Sequence, residues 1–196
     1  MKTKSILIIV FLSFVTNKIV GAEAKPSVKG NTVQNSYKVR IFSKQDIPQL
    51  LNIIRSVRAE FGFDSKHPDA QLIEEELNHT FDIYDCNGNN YFVIENGAKI
   101  VGGGGYGTLS DKYKDICEIK GMYLLSETRG LGLGSILLQH ILQQAKSHGF
   151  KQCYLETNDF MHGANALYTK FKFRILDKPL LAEHKWTNRY YLKELE

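Results

Sequence analysis

Apolar and polar residues follow one another in patterns whose period changes several times after residue 36. The clearest helical pattern follows residue 133, where apolar residues recur on one face and glutamine, histidine and lysine occupy the other. The apolar stripe consists of Leu137, Leu138, Ile141, Leu142 and Ala145. Gly149 is of the residue type that commonly ends a helix. Before this helix, residues 116–125 have the composition of a strand, which Gly121 interrupts as in a β-bulge. The pattern predicts a strand, a short loop and a helix.

Shorter patterns on both sides complete an alternation of strands and helices. Residues 37–42 are predicted to form a strand, followed by an amphipathic helix for which Asp46 is a suitable N-cap. A second short helix is predicted after Asp69. Residues 91–95 and 99–108 have the pattern of a hairpin with a tight Asn-Gly turn. The remaining predicted elements are a strand at 152–157 and a helix at 164–171.

The four glycines at 102–105 lie within the second strand of that hairpin. They present no side chain for packing, so one interpretation is a bulged strand that lets a substrate or a neighbouring helix approach closely. The alternative is a flexible strand end.

The first 24 residues have the pattern of a secretory signal peptide. Lys2 and Lys4 precede an apolar run at residues 6–15, and the small-x-small triplet at 22–24 suits cleavage. The run is short for a membrane-spanning helix, although an uncleaved membrane anchor is the alternative. Residues 25–36 are polar and are predicted to form a linker. The leader predicts a secreted, periplasmic or lumenal protein.

Composition and charge narrow the class of protein. The formal net charge is +4, and removing the leader's three lysines and one glutamate leaves +2. No run of lysine and arginine interleaves with aromatic residues, so we expect no nucleic-acid partner. Cys86, Cys117 and Cys153 are odd in number and lack CxxC spacing, so they predict neither a disulfide framework nor a metal site.

The loop at residues 129–135 (RGLGLGS) carries the strongest signal for chemistry. Alternate glycines allow a tight bend that turns several N–H groups toward one point, and the helix start adds unpaired donors and a positive dipole end. Such a loop binds phosphate. A Walker A loop is excluded because Gly134 is followed by Ser135 and Ile136 rather than by Lys-Ser or Lys-Thr. The spacing also differs from the GxGxxG dinucleotide fingerprint.

An arginine followed by GxGxG after such a strand resembles the pyrophosphate loop of the GNAT superfamily of N-acetyltransferases, whose donor is acetyl-CoA. Residues 164–173 (ANALYTKFKF) resemble the family's second signature, a short helix that carries Leu-Tyr. Residues 37–57 resemble its opening strand and first helix, so the likeness covers 37–196, which is read as one domain. It implies an α/β fold whose mixed, mostly antiparallel central sheet is flanked by helices and split near the acetyl-CoA site.

The resemblance also implies the groups that bind acetyl-CoA. The thioester and pantetheine would lie against the backbone of Met122, Tyr123 and Leu124, where a bulge at Gly121 would free N–H groups. The pyrophosphate would be held by Arg129, Gly130, Leu131, Gly132, Leu133, Gly134 and Ser135. Asn165 would bond pantetheine or cap its helix. No metal ion is expected.

Two side chains are candidates for proton transfer. Tyr168 matches the family's tyrosine near the thioester sulfur and would protonate the leaving thiolate, since a phenol is protonated at neutral pH. Its alternative role is packing in the core. Glu118 resembles the glutamate that many relatives use as general base, although it could instead be ion-paired with Lys120. His162 and Glu156 are other candidates for the base, whereas His140 is expected to be solvated.

Three positions depart from the family pattern. Ser126 replaces a frequent proline, Met161 replaces a frequent asparagine, and Lys172 replaces the glycine before Phe173. If position 172 needs a positive φ, lysine costs on the order of 1 kcal/mol there, or the helix ends elsewhere.

The predicted function is transfer of an acetyl group from acetyl-CoA to an amine by direct attack in a ternary complex. The acceptor would be a small molecule or a peptide, bound largely by residues 61–85, and a homodimer is left open. An exported non-catalytic acyl-CoA-binding module of the same fold is the alternative, and a phosphate-ligand binding protein unrelated to CoA is a third. Acetyl-CoA is a cytosolic co-substrate, whereas the leader predicts export. An exported enzyme would therefore have to meet acetyl-CoA in another compartment.

Overall fold

The structure is a computed structural model that describes residues 36–85, 88–181 and 187–196. The predicted leader, residues 25–35 of the predicted linker and Cys86 lie outside the described residues. The helices are α1 Ile47–Ala59, α2 Ala70–Asn78, α3 Leu133–Ser147 and α4 His162–Lys170. The strands are β1 Tyr37–Ile41, β2 Asn90–Asn96, β3 Lys99–Ser110, β4 Tyr113–Leu124, β5 Gln152–Thr157, β6 Arg174–Leu176 and β7 Arg189–Glu194.

These strands form one sheet in the order β1-β2-β3-β4-β5-β7-β6. The pairs are antiparallel except β4 with β5, which run parallel. Helix α1 packs on β3 and β4, and α3 packs on β2, β3 and β4, where its predicted apolar stripe is buried. The prediction of a single α/β domain with a mixed, mostly antiparallel sheet flanked by helices is confirmed.

The parallel pair is short, and this opens the sheet. Strand β4 pairs with β5 only through residues 116–118, opposite residues 152–154. Beyond Glu118, β4 continues to Leu124 beside β3, whereas β5 continues beside β7. The two halves of the sheet therefore separate along the second half of β4, which is the split that the sequence predicted.

The glycine run in β3 is tightly packed. The register with β4 shifts between Gly103 and Gly105, and Gly121 on β4 has a φ of +62°. A Cβ on Gly104 would lie 2.5 Å from Cγ of Met122 and 3.2 Å from Cδ1 of Ile141 on α3. The close approach of the neighbouring helix is confirmed, and the glycines lie within β3 rather than at a flexible end. The extra residue of the bulge belongs to β4, where Gly121 and Met122 lie opposite Gly104.

Helix α4 ends where the family pattern would end it, although Lys172 replaces the glycine of that pattern. Lys172 has a φ of +61°, and no other residue except glycine among those described has a positive φ. The N–H of Phe173 donates to the carbonyl of Tyr168, the N–H of Lys172 donates to that of Thr169, and the rings of Tyr168 and Phe173 are in contact. This is a Schellman motif with its usual apolar contact. Lysine therefore adopts the left-handed conformation rather than moving the helix end.

The start of α1 differs in detail from the prediction. Asp46 occupies the N-cap position, but its side chain makes no capping bond to α1. Instead, its carboxylate accepts two hydrogen bonds from Arg40 and one from the N–H of Ser43. Charge-assisted bonds to a guanidinium are stronger than a neutral cap, so the carboxylate is held there.

Candidate acetyl-transfer site

The split in the sheet leaves backbone donors without a strand partner. The N–H of Leu125 donates to the carbonyl of Val101 on β3. Because backbone groups alternate in direction along a strand, the N–H groups of Leu124 and Met122 point to the other edge, where pairing with β5 has ended. The N–H of Tyr123 points toward β3 instead. Of the three predicted backbone contacts, two therefore have an N–H on the open edge.

The glycine loop begins five residues beyond the end of β4 and leads into α3. Gly130 and Gly132 have φ values of +77° and +80°, and a Cβ on either would meet nothing within 4 Å. The N–H groups of residues 130–134 make no backbone hydrogen bond to any residue that the structure describes, and the first bond of the helix runs from Ser135 to the carbonyl of Gly132. Donors without a backbone partner at the start of a 15-residue helix, next to two glycines with open surroundings, are suited to an anion.

The loop differs from the prediction at two positions. Gly134 lies in the first turn of α3 and is buried, so the bend is made by Gly130 and Gly132 alone. The N–H of Ser135 is used within the helix start, which leaves its hydroxyl as the group that could contact a ligand.

Arg129 holds the loop from behind. Its guanidinium donates to both carboxylate oxygens of Glu60 at 2.6 and 2.8 Å, and its Nε donates to the carbonyl of Leu124 at 3.0 Å. The side chain of Arg129 is only 7% exposed. These bonds join the end of α1 and the end of β4 to the loop. The guanidinium is thus engaged with protein groups, and this arginine positions the loop whose backbone carries the free donors.

Tyr168 packs in the core, and its hydroxyl is left available. Its ring is fully buried on the inner face of α4, with its centroid 5.7 Å from that of Phe173 and 5.6 Å from that of Tyr191. Its hydroxyl has no hydrogen-bond partner within the described residues. Burial raises the pKa of Tyr168 well above its usual value, so the phenol stays protonated. A buried hydroxyl without a partner is rare and indicates a group reserved for a ligand.

Glu118 lies at the last position where β4 pairs with β5. Its Oε2 forms an ion pair with Nζ of Lys120 at 2.7 Å, and both side chains are largely buried. The ion-paired alternative is therefore present in the structure. The hydroxyl of Tyr84 is also buried without a partner, and its pKa is raised by burial and then by the charge of Glu118, which places the two groups in one electrostatic environment.

Glu156 is the more deeply buried of the two carboxylates, at 4% exposure. It accepts hydrogen bonds from the hydroxyls of Tyr154 and Thr187, each at 2.7 Å. Burial, and then the charge of Glu156, raises the pKa of Tyr154. Sequence reasoning did not find Tyr154 or Thr187, because 31 positions separate Thr187 from Glu156 and no local pattern links them.

The remaining candidates have other surroundings. Asn165 donates to the carbonyls of Asn158 and Met161 and accepts from the hydroxyl of Tyr191, so it braces the segment before α4 and caps no N–H group. His162 is exposed at the start of α4. His140 is half-buried, with its ring edge-to-face against Phe92, and desolvation lowers its pKa, so the expectation of a solvated histidine was wrong.

The predicted acceptor segment reaches the loop before α4. Phe61, just after α1, contacts Phe160 with ring centroids 5.9 Å apart. Glu74 on α2 forms an ion pair with Arg55 on α1, which lowers the pKa of Glu74, so this glutamate is paired rather than free to attract a cationic amine.

No cluster of three metal-ligating side chains is present in residues 36–85, 88–181 and 187–196. None of the helices formed by these residues has the length and apolar character to span a membrane.

The separated parallel strands beside the glycine loop agree with the fold that the resemblance implied. Residues 52–173 match the model of the acetyltransferase (GNAT) family. The uncharacterized N-acetyltransferase YjgM of Escherichia coli (strain K12) is 36% identical over 150 residues, which cover 76% of this chain and 89% of that protein. The chain therefore belongs to the acetyltransferase (GNAT) family and is a GNAT-type N-acetyltransferase.

Solved structures share the fold. A GNAT-family acetyltransferase from Staphylococcus aureus Mu50 superposes with a TM-score of 0.68 at 22% identity, covering 82% of this chain and 99% of that one. The acetyltransferase yncA of Salmonella typhimurium, solved with its cofactor acetyl-CoA, superposes with a TM-score of 0.66 at 16% identity, covering 83% and 95%. At these identities the likeness extends to the fold alone.

Proposed function

We propose that this enzyme moves the acetyl group of acetyl-CoA to an amine by direct attack while both substrates are bound. The observation that carries the proposal is the loop at Gly130 and Gly132, near the free edge of β4. Its N–H groups make no backbone hydrogen bond to the described residues, and both glycines have open surroundings. Acetyl-CoA would supply an activated acetyl thioester. The loop suits its pyrophosphate, and the edge of β4 suits the amide-bearing arm that follows.

The N–H groups of Met122 and Leu124 are oriented toward the opening and would bond the pantetheine and the thioester carbonyl. Donors fixed in a buried site stabilise negative charge that develops on a carbonyl oxygen without reorganising. Both residues are at most 1% exposed, so their amides act away from bulk water.

Glu118 is proposed to accept the proton that an ammonium acceptor must lose before its nitrogen attacks. The nitrogen then bonds to the acetyl carbon, and the bond from that carbon to sulfur breaks. The nitrogen loses its second proton to water to give the amide, and Tyr168, after protonating the sulfur, regains a proton from water. Glu118 would take the first proton directly or through water, with its carboxylate held in place by the contact with Lys120 at 2.7 Å. Glu156 is the other candidate, although its two hydroxyl donors occupy oxygens that a base would need.

Tyr168 is proposed to give its proton to the departing sulfur. Its hydroxyl has no competing acceptor within the described residues, and its raised pKa keeps it protonated before the thiolate forms. The same raised pKa makes the phenol a weaker acid, so the proton would move only as negative charge develops on the adjacent sulfur. Asn165 would act indirectly by holding the segment before α4 and the ring of Tyr191 that packs on Tyr168.

Calorimetric titration of the full chain with acetyl-CoA tests the donor site. Gly132→Asp places a carboxylate in the loop, and we expect at least a tenfold loss of affinity, about 1.4 kcal/mol. Gly149→Asp is the matched control, because Gly149 ends the same helix with a φ of +88° and equally open surroundings. Equal losses in both variants, or no binding by the wild type, would exclude the proposed donor site.

Release of the CoA thiol, followed with a panel of amines, then tests transfer. Binding without turnover on any amine would favour a non-catalytic acyl-CoA-binding module.

Export by the leader and assembly into a homodimer stay predictions. Mass spectrometry of the N terminus tests cleavage after Ala24, and light scattering tests the assembly.

A further inference from the structure

A cavity of about 470 Å³ lies between α1 and α2, apart from the glycine loop and the edge of β4. One wall is apolar and includes Phe63, Ile73 and Leu77. The other carries charged side chains from the last two turns of α1. A volume of this size holds a small organic molecule, and a pocket that joins an apolar wall to a few polar groups is typical of a ligand site.

Arg58 lines this cavity and is unusual in its surroundings. It is 3% exposed, and a terminal nitrogen donates to the carbonyl of Ile73 at 3.3 Å. Within the part of the chain that the structure describes, its Nε has no hydrogen-bond partner. No carboxylate among the described residues lies within ion-pair distance of it. A guanidinium is always charged, and a buried charge without a partner is costly. Arg58 acts on Glu74 and Glu76 only through its charge, so its Nε is available to a further acceptor.

The neighbouring acidic groups do not fill this role. Glu74 is held by Arg55, and Asp64 accepts the N–H of Lys66. Glu76 is close enough to feel the charge of Arg58, yet its Oε2 is itself buried without a partner. Two carboxylates also line the cavity, so a singly charged anion is favoured over a doubly charged phosphate.

We propose that the cavity between α1 and α2 binds a small carboxylate with an apolar body, whose carboxylate is held by Arg58. A carboxylate could accept two parallel bonds from Nε and a terminal nitrogen, which is the geometry that guanidinium favours. The apolar part of the ligand would pack on Phe63, Ile73 and Leu77. The carboxylate could belong to the acetyl acceptor, as in an amino acid, or to a separate small molecule. Only the first source depends on the proposed acetyl transfer.

Calorimetric titration of the full chain, without acetyl-CoA and at constant ionic strength, tests the binding. The probes are L-leucine, 4-methylpentanoate, which lacks the amine, and L-leucinamide, which lacks the carboxylate. We expect both carboxylates to bind and leucinamide to bind at least about tenfold more weakly, since a charged hydrogen-bond pair is lost. Inorganic phosphate should bind more weakly than 4-methylpentanoate.

Two arginine variants provide the matched comparison. Arg58→Met should abolish binding of both carboxylates while leaving thermal stability equal or higher, because it removes an unpaired buried charge. Arg55→Met removes an exposed, paired arginine from the same cavity wall and should retain binding within about threefold. The proposal is overturned if the wild type binds neither carboxylate, if Arg58→Met still binds them, or if the two variants lose binding equally.

Inhibition kinetics distinguish the two sources of the carboxylate. If the acceptor carries it, leucine is acetylated and 4-methylpentanoate competes with leucine. If a separate molecule carries it, 4-methylpentanoate binds but does not compete with the amine substrate. A separate titration with acetyl-CoA shows whether the donor site works, so failure of carboxylate binding is not confused with failure of acetyl transfer.

Discussion

Removing the hydroxyl of Tyr168 should separate catalysis from stability. In Tyr168→Phe the ring keeps its contacts with Phe173 and Tyr191, and only the oxygen is lost. That oxygen is buried and has no partner among the described residues, so its removal deletes no hydrogen bond. We therefore expect the free energy of unfolding to stay constant or to rise by up to about 1 kcal/mol.

The matched control is Tyr91→Phe. Tyr91 is also fully buried, but its hydroxyl donates to the carbonyl of Gly121 at 2.8 Å, at the bulge of β4. The same atom change there leaves a buried carbonyl without its donor, and we expect a loss of about 1–3 kcal/mol. Equilibrium unfolding in urea, followed by circular dichroism, measures both variants against the wild type.

The loss of activity should be larger in Tyr168→Phe than in Tyr91→Phe, the opposite of the order expected for stability. General-acid catalysis contributes about 10²–10⁴-fold, so kcat of Tyr168→Phe should fall by about 10²-fold or more. Its calorimetric Kd for acetyl-CoA should change by less than about twofold, which is under 0.5 kcal/mol. An unchanged kcat would reject the role of Tyr168 in proton transfer. A loss of stability as large as that of Tyr91→Phe would show instead that the hydroxyl has a structural partner.

Three further changes test other parts of the structure. Lys172→Gly relieves the left-handed lysine and should raise stability by about 1 kcal/mol. Lys170→Gly, at the last residue of α4, should lower stability by up to about 1 kcal/mol, and equal effects of the two changes in thermal unfolding would reject the strain. Glu60→Gln removes the charge that pairs with buried Arg129 and should cost about 1–2 kcal/mol and weaken acetyl-CoA binding, which unchanged urea and calorimetric titrations would contradict. Burial raises the pKa of Glu76 to about 7 from 4.5, so its contribution to stability is greatest below pH 4.5 and is lost as pH rises to about 7. The difference between wild type and Glu76→Gln in urea titrations should follow that window, and a constant difference would refute the raised pKa.

Several local features were predictable because they depend on near neighbours in the chain. The apolar stripe of α3 repeats within one helix, and the hairpin turn at Asn96 and Gly97 requires only adjacent residues. The loop donors at Gly130 and Gly132 follow from glycine's access to positive φ and from the helix that begins beside them. Even the strain at Lys172 could be anticipated from the residue that the family pattern places there.

The partners of charged and polar side chains were not predictable in this way. Arg129 pairs with Glu60, which is 69 positions away, so its role behind the loop depends on how α1 packs against β4. Glu118 as base and Glu118 paired with Lys120 were equally compatible with the sequence, and only the burial of this part of β4 brings the pair together.

The order of the elements and the glycine loop could be predicted from the sequence, since periodicity and glycine chemistry act over a few residues. Tyr168 could be placed from its match to the family pattern. Only the tertiary structure decided where β4 leaves β5, and that the hydroxyl of Tyr168 and Nε of Arg58 are buried with no partner among the described residues. Whether a polar group is satisfied depends on the atoms that packing places around it, and those atoms come from distant parts of the chain.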